Sequence, residues 1–137
     1  MNRNILIFLV LVVILGGWIG YKIYNKPHQD LTRMKPDYAL TSAALLQEFE
    51  ANEETAQNKF LNKIIRIEGN LSEIQQIDQK LILIIDTGNP LSNIQCEMDP
   101  RYTKSEKVFT AGQKVTVQGI CAGKLMDIVL SQVVEVQ

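Results

Sequence analysis

At 137 residues with 46% hydrophobic side chains, the chain is long enough for one small domain plus an apolar leader. Two cysteines without a Cys-x-x-Cys pair and one histidine exclude a zinc site built from Cys and His of this chain alone. The net charge of -1 hides an asymmetry: Arg3, Lys22, Lys26, Arg33 and Lys35 face only Asp30 in the first 35 residues, whereas from Pro36 onward the charge balance is acidic.

Ile5 to Ile19 carries no charged residue, and apolar character continues through Tyr24 if Lys22 is tolerated. About 20 helical residues cross a hydrocarbon core, so residues 1–24 are expected to form a transmembrane anchor. Lys22 can snorkel, and Trp18, Tyr21 and Tyr24 supply the membrane-interface aromatics. A cleaved signal peptide is the rival, but bulky Trp18, Ile19 and Tyr21 make a poor cleavage site and no cysteine follows to take a lipid. For orientation, the cluster Lys22, Lys26, Arg33 and Lys35 against Arg3 favours a cytoplasmic domain, whereas the cysteine pair favours the outside. These signals oppose one another, and the extracytoplasmic side of a bacterial cytoplasmic membrane is the preferred placement.

Residues 25–40, NKPHQDLTRMKPDYAL, contain two prolines, mixed charge and no periodicity, and are expected to be a linker holding the domain off the bilayer. His28 is read as a solvated linker residue. The folded unit is then 41–137. Thr41 or Ser42 can cap a helix running to about Lys59, with a break near Asn52 and an apolar face at Leu45, Leu46, Phe49, Ala56 and Phe60. Glu48, Glu50, Glu53 and Glu54 fall on the opposite, solvated side.

Five strands follow. Ile64 to Leu71 alternates and is extended by Ile74 and Ile77, with Gly69 suggesting a bulge or sharp coil. Asp78 and Gln79 turn the chain into Lys80 to Asp86, and a third strand spans Leu91 to Met98. Arg101 to Thr110 is a connector with a helical turn that sets Tyr102, Val108 and Phe109 against the sheet. Lys114 to Ile120 and Asp127 to Val136 form the closing pair across a glycine turn. Five short strands in so few residues give a mainly β domain, a small barrel or sandwich.

Cys96 and Cys121 both fall at strand ends, and in an exported domain they are expected to form a disulfide worth ~3 kcal/mol. The alternative is two buried thiols packing as small hydrophobes. Asp86, Glu97, Asp99 and Asp127 have no spacing that pairs any two for acid or base work, and no phosphate loop or nucleophile set is present.

Three strands, a helical connector and two strands is the order of the OB fold, a five-stranded Greek-key barrel. The chain resembles the tRNA-anti-like family of small bacterial OB-fold proteins. The likeness is carried by Glu54 to Asn58, by Lys59-Phe60-Leu61-Asn62-Lys63 leading into Ile65-Arg66-Ile67-Glu68-Gly69, by Cys96, by Gly112 to Leu130, and by the Asn25-Lys26-Pro27-His28 segment. The resemblance implies an OB barrel and leaves function open. Single-strand nucleic-acid binding needs a basic groove and stacking rings, yet Ile64 to Met98 contains no Phe, Tyr or Trp. Arg101, Tyr102, Lys104 and Lys107 are the ligand-patch candidates, with Asp99 and Glu106 among them. The expectation is a membrane-anchored, non-catalytic binding or scaffolding module with no cofactor, and a protein is its expected partner beside the membrane. Single-stranded nucleic acid or an oligosaccharide is the alternative ligand.

Overall fold

A computed structural model describes residues 2–25, 29–103 and 108–137. Helix α1 (Arg3–Tyr24) has 22 residues, every one exposed, and a mean hydropathy of 2.3 in its most apolar window. At 1.5 Å per residue it is about 33 Å long, enough to cross a hydrocarbon core. Lys22 Nζ lies 5.5 Å from the centre of the Trp18 ring, one helical turn back.

The folded unit holds strand β1 (Tyr38–Thr41), helices α2 (Ser42–Ala51) and α3 (Glu53–Phe60), strands β2 (Ile64–Ile77), β3 (Lys80–Ile85) and β4 (Ile94–Met98), the single turn α4 (Pro100–Thr103), and strands β5 (Lys114–Lys124) and β6 (Ile128–Glu135). The strand order β2-β3-β4-β6-β5, closed by β2 pairing back onto β5, is a five-stranded barrel. Every pair is antiparallel except β4 with β6, the one barrel pair that runs parallel. This is the OB layout, and its Greek-key crossover is the α4 connector.

Inward positions build one core. Ile65, Ile67, Leu71, Leu83, Ile85, Ile94, Val117, Ile128 and Leu130 are all at most 1% exposed. Leu45, Leu46, Phe49, Ala56 and Phe60 of the two helices join the same cluster. The helix break expected near Asn52 occurs there, because Asn52 ends α2 and its Oδ1 accepts the Thr55 amide at 2.9 Å to start α3. Thr41 caps α2 by accepting the Ala44 amide at 3.2 Å. Glu48, Glu50, Glu53 and Glu54 are exposed, the solvated face that the sequence indicates.

Several boundaries shift for physical reasons. The third strand starts at Ile94 rather than Leu91, since Thr87 and Asn89 spend their polar groups on turns. Thr87 Oγ1 donates to the Ser92 carbonyl at 2.5 Å, and Asn89 Oδ1 accepts the Leu91 amide at 3.0 Å. In the closing pair, β5 runs on to Lys124, and Gly123 lies within it at φ +106, so the turn is Leu125 to Asp127. The register shift in β2 falls between Leu71 and Glu73, not at Gly69. Gly69 has another role. A Cβ there would stand 2.5 Å from Ile85 Cγ2 and 2.8 Å from Ser42 Oγ, so only glycine lets β3 and the start of α2 meet on β2.

The stretch 25–40 departs most from expectation. Tyr38–Thr41 is a sixth strand, parallel to β2 along Ile65–Glu68, on the edge that β3 leaves open. Leu31 is 0% exposed. Residues 29–37 therefore form a strap laid on the outside of the barrel rather than a free spacer. The outward row Arg66, Gln118 and Val134, aligned by register, receives it. Gln118 Nε2 donates to the carbonyls of Leu31 at 2.7 Å and Met34 at 2.8 Å, while its Oε1 accepts Arg66 Nε at 3.1 Å. Asp37 finishes the seam, since its amide donates to Ile64 O and its Oδ2 accepts the Ile64 amide, at 2.8 and 2.9 Å. His28 lies outside the described residues.

Asp78 and Gln79 make the β2–β3 turn as expected, both with positive φ of 47° and 68°, the signature of a two-residue type I′ hairpin. Gln79 pays the Cβ penalty that glycine avoids. Gln79→Gly is expected to stabilise the domain by about 0.5–1 kcal/mol, read as a raised thermal midpoint; an unchanged or lowered midpoint would contradict the turn assignment.

Candidate ligand-binding face

OB barrels bind ligands mainly across the outer face of their second and third strands and the flanking loops, here β3 and β4 with the 78–79 and 125–127 turns. Register places Gln75, Ile82 and Glu97 in one outward row and Glu73, Ile84 and Gln95 in the next. Asp127, from the β5–β6 turn, fixes the far edge, accepting the Asn93 amide at 2.8 Å and Gln95 Nε2 at 2.7 Å. Lys80 Nζ pairs with Glu97 Oε1 at 2.6 Å, and the Glu97 carboxylate raises the Lys80 pKa. The face thus presents Glu73, Glu97 and Asp127 against Lys80, with isoleucines and amides between them. No ring lies on it. Tyr38 and Phe60 meet edge to face with centroids 5.0 Å apart on the helical side, and Phe109 packs against the core.

A second concavity opens beside Gly69. A cleft of 390 Å³ is lined by Thr41, Ser42, Asn70, Asp86, Gly88 and Lys114, among others. Ser42 Oγ already donates to the Asp86 carbonyl at 2.6 Å, and Lys114 is ion-paired with Glu68. Ser42 and Lys114 are thus already engaged, and among the described residues no buried unpartnered side-chain atom lines the cleft.

Of the four ligand-patch candidates, the two among the described residues are engaged by the fold. Arg101 contacts Asp99 through Nε at 3.1 Å and through a terminal nitrogen at 2.7 Å, and that same nitrogen donates to the Gln29 carbonyl at 3.0 Å. Tyr102 Oη donates to Asp30 Oδ1 at 2.8 Å. Hydrogen bonds from the Thr32 hydroxyl and from Tyr102 hold the Asp30 carboxyl below its ordinary pKa, and Asp99 raises that of Arg101. Arg101 and Tyr102 are therefore clasps on the strap. Lys104 and Lys107 lie outside the described residues. Among the described residues, no three His, Cys, Asp or Glu side chains converge as for a metal.

Instead of the expected bridge, Cys96 and Cys121 are separate, buried thiols. Each is the register partner of Leu130, one on β4 and one on β5, with β6 between them. Two ladder steps are about 9–10 Å, beyond the ~7 Å Cα separation a disulfide tolerates. Burial raises both thiol pKa values. Alkylation in denaturant without reductant is expected to label both cysteines, and a peptide linking Cys96 to Cys121 would refute this register.

A family model for tRNA_anti-like proteins matches residues 1–133. The chain belongs to this family. Its barrel is similar to the crystal structure of a lipoprotein from Klebsiella pneumoniae subsp. pneumoniae that is provisionally assigned nucleic-acid binding. The TM-score is 0.61 with 18% identity over 82% of this chain and 100% of that one. More distant likenesses are to a provisionally assigned aspartyl-tRNA synthetase of Leishmania major Friedlin (TM-score 0.47, 9% identity, 87% of this chain and 25% of that one) and to a chain of yeast Stn1 and Ten1 (0.46, 14%, 77% and 65%). No curated protein matches significantly. The tRNA_anti-like barrel and the Klebsiella structure give the fold, while the ligand must be argued from this chain's own face.

Proposed function

We propose that this tRNA_anti-like protein is a membrane-anchored, non-catalytic binding module whose ligand is a protein surface rather than a polynucleotide. The observation that carries the reading is the β3–β4 face. Single-strand binding draws about 1–3 kcal/mol per stacked base from aromatic side chains and much of the rest from phosphate neutralisation. Here three carboxylates, Glu73, Glu97 and Asp127, stand against Lys80, and Ile82 and Ile84 occupy the strand positions where rings would stack. The exposed apolar α1, with Trp18, Tyr21, Lys22 and Tyr24 at its C-terminal end, supports retention in a bilayer.

Nucleic-acid binding is the second reading, favoured by the assignment given to the Klebsiella lipoprotein. Titration of the full chain in detergent with a labelled single strand of about 20 nucleotides at low salt separates the two. No saturable binding is expected. Micromolar affinity that weakens steeply with salt would replace the protein-partner reading. A reporter fused after Gln137 is expected to be active only outside the cytoplasmic membrane, and activity confined to the cytoplasm would reverse that placement.

A further inference from the structure

We propose that the loop tips Leu91, Leu125 and Met126, with the acidic β3–β4 face beside them, dock in an apolar socket rimmed by lysine and arginine on a partner protein. The inference rests on the protein-binding reading above and deepens it, naming where that protein seats and the chemistry it must carry.

Leu91 in the β3–β4 loop and Leu125 and Met126 in the β5–β6 turn are 87%, 89% and 84% exposed. Ser92 Oγ donates to the Met126 carbonyl at 3.2 Å and Asp127 Oδ1 accepts the Asn93 amide at 2.8 Å, so the two loops form one tip. The tip is braced. Asn89 Oδ1 accepts the Leu91 amide at 3.0 Å, Thr87 Oγ1 donates to the Ser92 carbonyl, and Asn89 Nδ2 donates to Glu50 Oε1 of α2 at 2.9 Å. Apolar side chains held out on a fixed backbone contribute little to the fold, and a partner that covers them orders little that is not already ordered.

Charge selects the occupant. From Gly69 to Met98 the chain carries Glu73, Asp78, Asp86 and Glu97 against Lys80 alone, and Lys80 is spent on Glu97. At the tip, Glu50 and Asp127 accept from uncharged amides, which leaves their own charge in place, while Lys124 is paired with Glu53. A second copy of this chain would set acid against acid, and anionic headgroups would be repelled in the same way. The bilayer also lies toward the other end. β4 and β6 run parallel, so the tip is at the opposite end of β4 from α4, where Arg101 clasps Gln29, five residues beyond the last residue of α1. A protein surface with basic groups around an apolar pocket matches both the bare side chains and the charge beside them.

The test is photo-crosslinking in cells from a benzophenone side chain set in the full chain in place of Leu125, Glu73 or Glu68, followed by titration of the identified, purified protein against the full chain in nanodiscs. One protein is expected to crosslink from positions 125 and 73 and not from 68. L125D/M126D should weaken its binding about thirtyfold without moving the thermal midpoint, because both residues are exposed. E50K/E73K should weaken it about tenfold at low salt and little at high salt. Crosslinks from position 125 to lipid or to a second copy overturn the proposed occupant. A partner that crosslinks from 68 alone, or that binds L125D/M126D as tightly as the natural chain, overturns the tip as its seat while the protein-binding reading stands. Indifference to both salt and E50K/E73K overturns the basic rim. No protein crosslinked from any of the three positions overturns that reading and this inference together.

Discussion

Asp99→Ala is expected to lower the domain's stability by about 3 kcal/mol, measured as a shift in the urea midpoint followed by circular dichroism of the full chain in detergent. Asp99 is 0% exposed, and its carboxylate accepts the Arg101 amide at 2.9 Å besides the two guanidinium bonds. Removing one partner of a buried pair strands the other, which costs about 3–5 kcal/mol when both are fully desolvated. The Arg101 side chain is 46% exposed and can turn to water, so the loss falls at the low end of that range. The effect should also spread. Once Arg101 swings out, the Gln29 carbonyl loses its donor, and amides of the strap should exchange faster. Arg101→Lys is the companion variant: it keeps the charge but cannot span Asp99 and Gln29 with one planar fork, so strap exchange should rise with a smaller change in midpoint. A midpoint shift below about 1 kcal/mol for Asp99→Ala would mean that the buried carboxylate is not held as described.

The barrel was largely legible because period-two alternation runs through β4 and the first half of β2 and through parts of the other strands, and alternation reports a buried face wherever the partner strand lies. The break at Asn52 and the turn at Asp78-Gln79 were legible for a related reason, since caps and tight turns are local chemistry. What the sequence concealed is nonlocal. β1 is four residues between Pro36 and a helix cap, held by a parallel edge contact with β2, more than 20 residues away, and by Tyr38 and Leu40 packing against the core. The strap has one buried residue, Leu31, and its clasps come from Gln118, Arg101 and Tyr102, more than 70 positions away. No periodicity announces such a segment. The same blindness hid the clasps that Arg101 and Tyr102 make on the strap, because nothing in the sequence says that Asp30 and the Gln29 carbonyl will meet them. The disulfide failed because both cysteines lie within their strands, Cys96 at the centre of β4 and Cys121 inside β5, and because the order β4-β6-β5 inserts Leu130 between them. The candidate face fared better. The lack of rings from Ile64 to Met98 is a fact of composition, and the fold then set that stretch where OB ligands dock.

Leu31→Ala distinguishes a docked strap from a passive linker. In a solvated linker the substitution changes nothing measurable. In this fold Leu31 is fully buried while lying outside the barrel's interior cluster, and Val134, on the outward row opposite Gln118, is equally buried. Truncating a buried leucine costs about 2–5 kcal/mol, through lost transfer energy and the cavity left behind. The strap has little besides Leu31 to hold it, namely the two Gln118 bonds, the Arg101 and Tyr102 clasps and the Asp37 seam. Hydrogen bonds of that kind contribute about 1 kcal/mol net each, so a loss of 2–5 kcal/mol is comparable to what all of them supply together. The expected outcome is local undocking: exchange protection vanishes along 31–37 and falls at Ile64, whose amide is bonded to Asp37, while the core amides of β3 and β4 keep theirs. The denaturation midpoint should move less than the local loss, because the five-stranded barrel closes without the strap. Unchanged protection along 31–37 in the variant would return this stretch to the role of a free linker.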